Sequence, residues 1–307
     1  MRIVIAGGSG LLGRALTVRL QHDGDTVAVL TRRPRRAFDV AWNPDAPSGA
    51  WVETVGAADA VINLAGESIN GGRWTAARKA ALFDSRVRST RALARAIQAA
   101  GQKPLAFLSG SAIGIYGPHG DEPVTEQTPP GSDFLSRLAV EWEREAMAVA
   151  HITRVVLLRT GVVLTREGGA LPQMALPFRF FAGGPIGSGR QGVSWIHIDD
   201  WVNMVRWALD MPSITGPLNV TAPEPVSNAE LARTLGRALD RPAFMRVPAF
   251  AVRLALGEMA DIVVKGQYVF PAKAQSLGFR FRYRQLEEAL RAIYDKWKSG
   301  KSGKVEK

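Results

Sequence analysis

Cysteine is absent from this chain of 307 residues. Disulfides, thiolate metal sites and cysteine nucleophiles are therefore excluded. Histidine is scarce: His22, His119, His151 and His197 are the four, and their positions show no metal-ligand spacing, so no metal is expected. No apolar run is long enough to cross a bilayer. Met1-Arg2-Ile3-Val4 enters a strand directly and leaves no room for a signal peptide, so the expectation is a soluble cytoplasmic protein without a membrane partner. Acidic residues are outnumbered, 28 against 39 Lys and Arg, for a formal net charge of +11. Such an excess can serve nucleic acid. Here it is dispersed, and part of it sits in residues 296–307, which carry five lysines against one glutamate. That segment reads as a basic, disordered tail, and nucleic acid is disfavoured as a partner.

What is present is an alternation. Short apolar runs at Ile3–Ala6, Val27–Leu30, Ala60–Leu64, Ala106–Leu108 and Val155–Leu158 are separated by longer helical patterns, among them Leu11–His22, Ala76–Ala100 and Phe134–Ala150. This rhythm predicts βαβ units and an α/β fold with a Rossmann-type, doubly wound parallel sheet. From about residue 165 glycine clusters break the rhythm, and Gly187-Ser188-Gly189 reads as flexible backbone over a pocket mouth. The rhythm resumes at Trp195–Met211, a strand end running into a helix. Asn228–Leu239 is a further amphipathic helix, with Ser227 or Asn228 as its N-cap. Ala249–Ala260 and Gln285–Trp297 are the last helical stretches. The expected division is a large domain over 1–165 plus about 195–222, a smaller C-terminal lobe over 166–194 and 223–295, and the tail 296–307.

Gly7-Gly8-Ser9-Gly10-Leu11-Leu12-Gly13 follows the strand Ile3–Ala6 and opens a helix whose apolar positions Leu12, Ala15, Leu16 and Leu20 recur at helical spacing. Strand, glycine turn and helix N-terminus together make an anion site, because backbone N–H groups point outward and the helix dipole favours negative charge. The spacing predicts a bound dinucleotide, with the glycines allowing the turn, the approach of a pyrophosphate and the packing of helix on strand. After the second strand come Thr31-Arg32-Arg33-Pro34, with no carboxylate to accept from a ribose 2′-hydroxyl. A guanidinium there suits a 2′-phosphate. The dinucleotide expected is NADP(H), with Arg32 as the leading contact and Arg33 second. Asn63-Leu64-Ala65-Gly66, ending the next strong strand, lets the backbone lie close to the cofactor.

In this combination the chain resembles an extended short-chain dehydrogenase/reductase. Gly7-x-x-Gly10-x-x-Gly13, Asn63–Gly66, Ser109-Gly110-Ser111-Ala112, Tyr116-Gly117 and Trp195-Ile196-His197-Ile198-Asp199-Asp200 carry the resemblance. It is more specifically similar to the YfcH-like branch, an epimerase family. The strings are Arg73-Trp74-Thr75, Lys79, Ser85-Arg86-Val87, Arg159–Leu164, Gly187–Gln191, Leu256-Gly257-Glu258-Met259 and Leu277–Phe281, the last two in a small closing domain. The resemblance covers about residues 1–295. It implies a Rossmann domain holding NADP(H) at Gly7, Ser9, Gly10, Leu11, Leu12, Gly13, Arg32, Arg33, Asn63, Leu64, Ala65, Gly66 and Ser109. It also implies a small-molecule substrate, of unknown identity, bound by the second lobe.

One departure is chemical. The superfamily uses a Tyr and a Lys four residues apart on one helix face, where the ammonium lowers the phenol's pKa from about 10. In Ser132–Glu143, Phe134 stands for the Tyr and Leu138 for the Lys, and neither moves a proton. Arg86 stands where extended members have an Asn. The remaining candidates are three. Ser111 can hydrogen-bond a carbonyl or hydroxyl. Tyr116 is either a substitute acid/base or a packed ring whose hydroxyl caps a loop. Arg86 lowers a phenol's pKa, holds an anionic substrate group, or pairs with Asp84 or Glu141. His197 reads as a positioning residue rather than a catalyst, with Asp199 or Asp200 capping the helix Trp201–Leu209. The functional expectation is an oxidoreductase or epimerase; the alternative is a non-catalytic NADP(H) sensor or scaffold. Arg78, Lys79, Arg86 and Arg88 make Ala76–Ala100 basic for a buried dimer seam, so monomer and homodimer both stand open.

Overall fold

The computed structural model describes residues 1–301. The chain divides into two compact units, Met1–Gly117 with Pro129–Thr160 and Val202–Leu218, and Pro118–Thr128 with Gly161–Trp201 and Asn219–Lys307. The division differs from the sequence reading. The second unit takes a short early segment, begins at Gly161, and keeps the strand and first turn around Trp195–Trp201.

The first unit is built on a seven-stranded sheet. Its strands, in chain order, are β1 Arg2–Ala6, β2 Thr26–Thr31, β3 Asp39–Ala41, β4 Ala60–Asn63, β5 Ala106–Ala112, β6 Arg154–Thr160 and β7 Gly216–Val220. They lie in the spatial order β7-β6-β5-β4-β1-β2-β3. Strands β1 to β6 pair in parallel, with Ile3 opposite both Val27 and Ala60 and with Ser111 opposite Arg159. Ile3, Val4, Ile5 and Ala6 are all buried, as continuous apolar runs in a sheet covered on both faces must be. The helices that cover it include α1 Leu11–His22, α2 Ala50–Gly56, α3 Ala76–Ala99 and α4 Phe134–Met147. Trp51, Leu93, Ile97, Phe107, Ala146 and Leu157 belong to one apolar core. Strand order reverses at β1, so the carboxyl ends of β1, β2 and β4 border the crevice where this fold binds ligands.

Local chemistry accounts for the helix starts. Thr75 accepts from Arg78 N (3.1 Å) and caps α3, and Asp133 accepts from Ser136 N (2.8 Å) and caps α4. α4 stops at Met147, short of the expected Ala150.

The second unit has its own core around Leu164, Trp195, Leu231, Leu235, Leu286 and Leu290. Ser227, the residue named as a cap, accepts from Glu230 N at 3.1 Å. The helix after Trp195–His197 corrects another expectation. It begins at Ile198, and its cap is His197, whose Nδ1 accepts from Asp199 N at 3.0 Å. Asp200 instead accepts from the backbone N–H groups of Arg282 and Tyr283, both at 2.8 Å, and anchors the C-terminal segment. The glycine loop is pinned, not loose. Gly187 N donates to Val247 O (2.8 Å), Ala229 N donates to Gly189 O (2.9 Å), and a Cβ on Gly189 would lie 2.9 Å from that of Ala229. The final helix runs Leu286–Lys301, so the expected tail starts inside it; residues 302–307 lie outside the described residues. No helix among the described residues is long and apolar enough to cross a membrane.

Candidate functional site

The glycine turn is closed by contacts that admit no side chain. Gly7 has φ +79°, and a Cβ on it would lie 2.5 Å from Leu64 O and 2.7 Å from Ala65 N. A Cβ on Gly13 would overlap the Gly7 carbonyl and lie 2.5 Å from Gly8 Cα. Helix, turn and the β4 end therefore touch backbone to backbone. Gly10 caps α1 with no side-chain bond, and the first helical turn carries no acid. The first helical bond runs from Arg14 N to Gly10 O (2.9 Å), which leaves the N–H groups of Leu11, Leu12 and Gly13 pointing out of the helix end. Arg14 Nη1 donates to Ser9 O (3.1 Å) and adds a cation beside the turn. Such a helix end could hold a pyrophosphate.

Arg32 and Arg33 are exposed after β2. Arg33 N donates to Thr31 Oγ1 (3.3 Å), and among the described residues no ion pair engages either guanidinium. The nearby carboxylate is spoken for. Asp39 accepts from the N–H groups of Arg35 and Arg36 and pairs with the Arg36 guanidinium at 3.0 Å. Burial raises its pKa, but these bonds outweigh that and hold it below the ordinary value. The pair of free guanidiniums fits a 2′-phosphate.

At the β4 end the sequence candidates divide. Asn63 is fully buried; its Nδ2 donates to Thr90 Oγ1 (2.8 Å) and its Oδ1 accepts from Ala65 N (3.1 Å). Its side chain shapes the turn, and the backbone of Leu64 and Ala65 is what packs against Gly7. Ser109 is also fully buried, with Oγ 3.3 Å from Gly110 O inside β5.

Beyond β4, polar groups are paired among themselves. Ser111 Oγ donates to Glu143 Oε1 (2.6 Å). Arg159 grips the same carboxylate with Nε and Nη2, both at 2.8 Å, and its Nη1 donates to Tyr116 Oη (2.9 Å). All four residues are buried, Tyr116 completely. Burial disfavours the Arg159 cation, but Glu143 overcompensates and raises its pKa above the ordinary value. Tyr116 is a fully buried ring whose hydroxyl is held by the Arg159 cation rather than capping a loop. The sequence reading did not place Glu143 and Arg159 in this network. The available signal was a charge at the end of the apolar run Val155–Leu158 and still within the strand, where burial demands a partner.

Phe134 packs edge-on against Trp74 (5.4 Å between centroids), with Lys79 Nζ 5.4 Å from its ring. Leu138 is buried. Both line a cavity of about 470 Å³ together with Phe83, Arg137 and Glu141. The chain does contain one Tyr-x-x-x-Lys, Tyr294 to Lys298. It cannot replace the missing pair: Tyr294 belongs to the second unit's apolar core, and burial raises its pKa.

Arg86 pairs with neither Asp84 nor Glu141. Its Nη1 donates to Leu82 O (3.1 Å) and its Nη2 to Glu67 O (2.9 Å), and its guanidinium sits 5.3 Å from the Trp142 ring centroid. A Cβ on Gly66 would lie 3.1 Å from Arg86 Cζ. Among the described residues no group of three His, Asp or Glu could hold a metal ion.

Comparison with known proteins agrees with this geometry. A model of the NAD dependent epimerase/dehydratase family matches residues 3–220, and a domain of unknown function, DUF1731, matches residues 247–293. The epimerase family protein YfhF of Bacillus subtilis is 42% identical over 297 residues, 94% of this chain and 97% of that protein. A chloroplastic SDR39U1 homolog of Arabidopsis thaliana, also an epimerase family protein, is 40% identical over 95% of this chain and 86% of its own length. The crystal structure of human epimerase family protein SDR39U1 with NADPH superposes with a TM-score of 0.88 at 36% identity, covering 96% of this chain and 99% of that one. The chain belongs to the NAD dependent epimerase/dehydratase family, the extended short-chain dehydrogenase/reductases, and carries the DUF1731 domain at its C-terminal side.

Proposed function

We propose that this protein binds NADP(H) and works as an oxidoreductase without the Tyr–Lys pair. The observation that carries the cofactor reading is the bare helix end at Leu11–Gly13 after β1, together with Arg32 and Arg33 after the neighbouring β2, which no ion pair engages among the described residues. The human relative crystallised with NADPH supports the same cofactor. The cofactor supplies a hydride when bound; the protein's task is to orient it and manage one proton.

Ser111 is the side chain suited to touch a substrate oxygen. Its proton is held by Glu143, whose charge is already compensated by two Arg159 bonds. Rotation about Cβ–Oγ would re-aim that proton at a carbonyl oxygen, exchanging the bond to Glu143 for one to the substrate. Ser111 then polarises the carbonyl, and water delivers the proton to the product oxygen.

A second reading, a non-catalytic NADP(H) sensor, is favoured by one observation: Tyr116 exposes none of its surface, and Phe134 and Leu138 carry no proton. Following NADPH oxidation across a panel of aldehydes and ketones separates the two. Turnover that falls in Ser111→Ala at unchanged NADPH affinity supports the enzyme. No turnover with any compound, alongside clear NADPH stabilisation, supports the sensor.

A further inference from the structure

Three arginines gather around the carboxyl ends of β4 and β5, and they are not equivalent. Arg78 pairs with Glu67, and Arg159 pairs with Glu143. Arg86 is as buried as Arg159 but has no carboxylate within ion-pairing distance among the described residues. Its bonds go to two backbone carbonyls, and its free edge lies against Gly66 and the face of Trp142. A desolvated cation with no carboxylate in direct contact is costly to maintain. Burial foremost, then Arg78, lower its pKa to about 10 against the pull of Glu67, so it stays charged at neutral pH.

Topology says which part of a dinucleotide meets it. On the reading above, the turn after β1 would hold the pyrophosphate, and Arg32 and Arg33 after β2 the adenosine 2′-phosphate. The sheet continues on the other side of β1 with β4 and β5. The nicotinamide half would then lie on the β4 and β5 side, the side on which Arg86 closes against Gly66. The oxidised nicotinamide ring carries a positive charge and the reduced ring carries none.

We propose that Arg86 makes the site select the reduced cofactor: its buried guanidinium, bonded to backbone carbonyls and to no carboxylate among the described residues, repels the cationic ring of NADP⁺ and leaves neutral NADPH unaffected. A unit charge acting over several ångströms at an effective dielectric near 20 shifts such an equilibrium by about tenfold or more. Binding then holds the cofactor as a loaded hydride donor. This inference rests on the NADP(H) reading above and adds a preference between its two redox states.

The test is equilibrium titration of the full chain with NADPH and with NADP⁺, for the wild type, Arg86→Gln and Arg86→Lys. The expected result is NADPH binding about tenfold or more tighter than NADP⁺ in the wild type. Arg86→Gln narrows the gap to about threefold or less, chiefly by tightening NADP⁺, and Arg86→Lys keeps the preference. Loss of stability in a variant affects both titrations alike and cancels in the ratio. Equal affinities in the wild type, or a ratio unchanged in Arg86→Gln, overturn the proposal and leave Arg86 as a tether for the Glu67 carbonyl. Failure of both forms to bind the wild type overturns the cofactor assignment itself.

Discussion

The two sides of β1 handle polar groups in opposite ways. On the β2 side the site is unfinished: three helix-end N–H groups point outward, and Arg32 and Arg33 have no carboxylate among the described residues. On the β5 side the polar groups are consumed: Ser111, Glu143, Arg159 and Tyr116 satisfy one another in a buried chain. Groups left unsatisfied at a crevice await a ligand, whereas groups satisfied internally hold a shape. The first side therefore identifies a ligand, and the second keeps one hydroxyl in place at the end of a parallel strand.

This contrast can be broken from either side. The largest effect is expected from Arg159→Met, which leaves the Glu143 carboxylate buried without its partner. Stability should fall by about 3–5 kcal/mol in urea unfolding, and a double change with Glu143→Leu should recover much of that. Next comes Gly13→Ala, whose Cβ would meet Gly8 Cα at 2.5 Å. A cost of about 1–3 kcal/mol is expected, together with loss of measurable NADPH binding by calorimetry, because the pyrophosphate cradle distorts. Arg32→Ala should leave thermal unfolding unchanged and weaken NADPH by about tenfold, with NADH unaffected, since a charge-assisted contact to phosphate is lost. The smallest effect belongs to Ser111→Ala. It removes one bond to a carboxylate that keeps two others, so about 1 kcal/mol of stability is expected, with NADPH affinity within about twofold of wild type.

The legibility of the sequence follows the same line. The turn Gly7–Gly13 and the arginines after β2 were readable because their meaning is local: spacing, strand before, helix after. The strands were found at their cores, although β5 runs to Ala112, so Ser111 lies within the strand and not past its end. The buried network was not readable, because its members lie 16, 32 and 43 residues apart and meet only through the β5–β6 register that sets Ser111 opposite Arg159. Arg86 shows the same limit. The sequence leaves it three roles: a cation beside a phenol, a holder of an anionic substrate group, or a pair with Asp84 or Glu141. Only the approach of Gly66 and Trp142 from other elements shows it to be enclosed. The cap at His197 was missed because Asp199 and Asp200 are the stronger capping types, but tertiary contacts claimed Asp200.

The central claim is that the unfinished side of β1 is built for a 2′-phosphorylated dinucleotide. Parallel calorimetric titration of the wild-type protein with NADPH and NADH tests it most directly. The account predicts NADPH binding at least about tenfold tighter than NADH, with the difference removed in Arg32→Ala/Arg33→Ala. Equal binding of the two, or tighter binding of NADH, would contradict it.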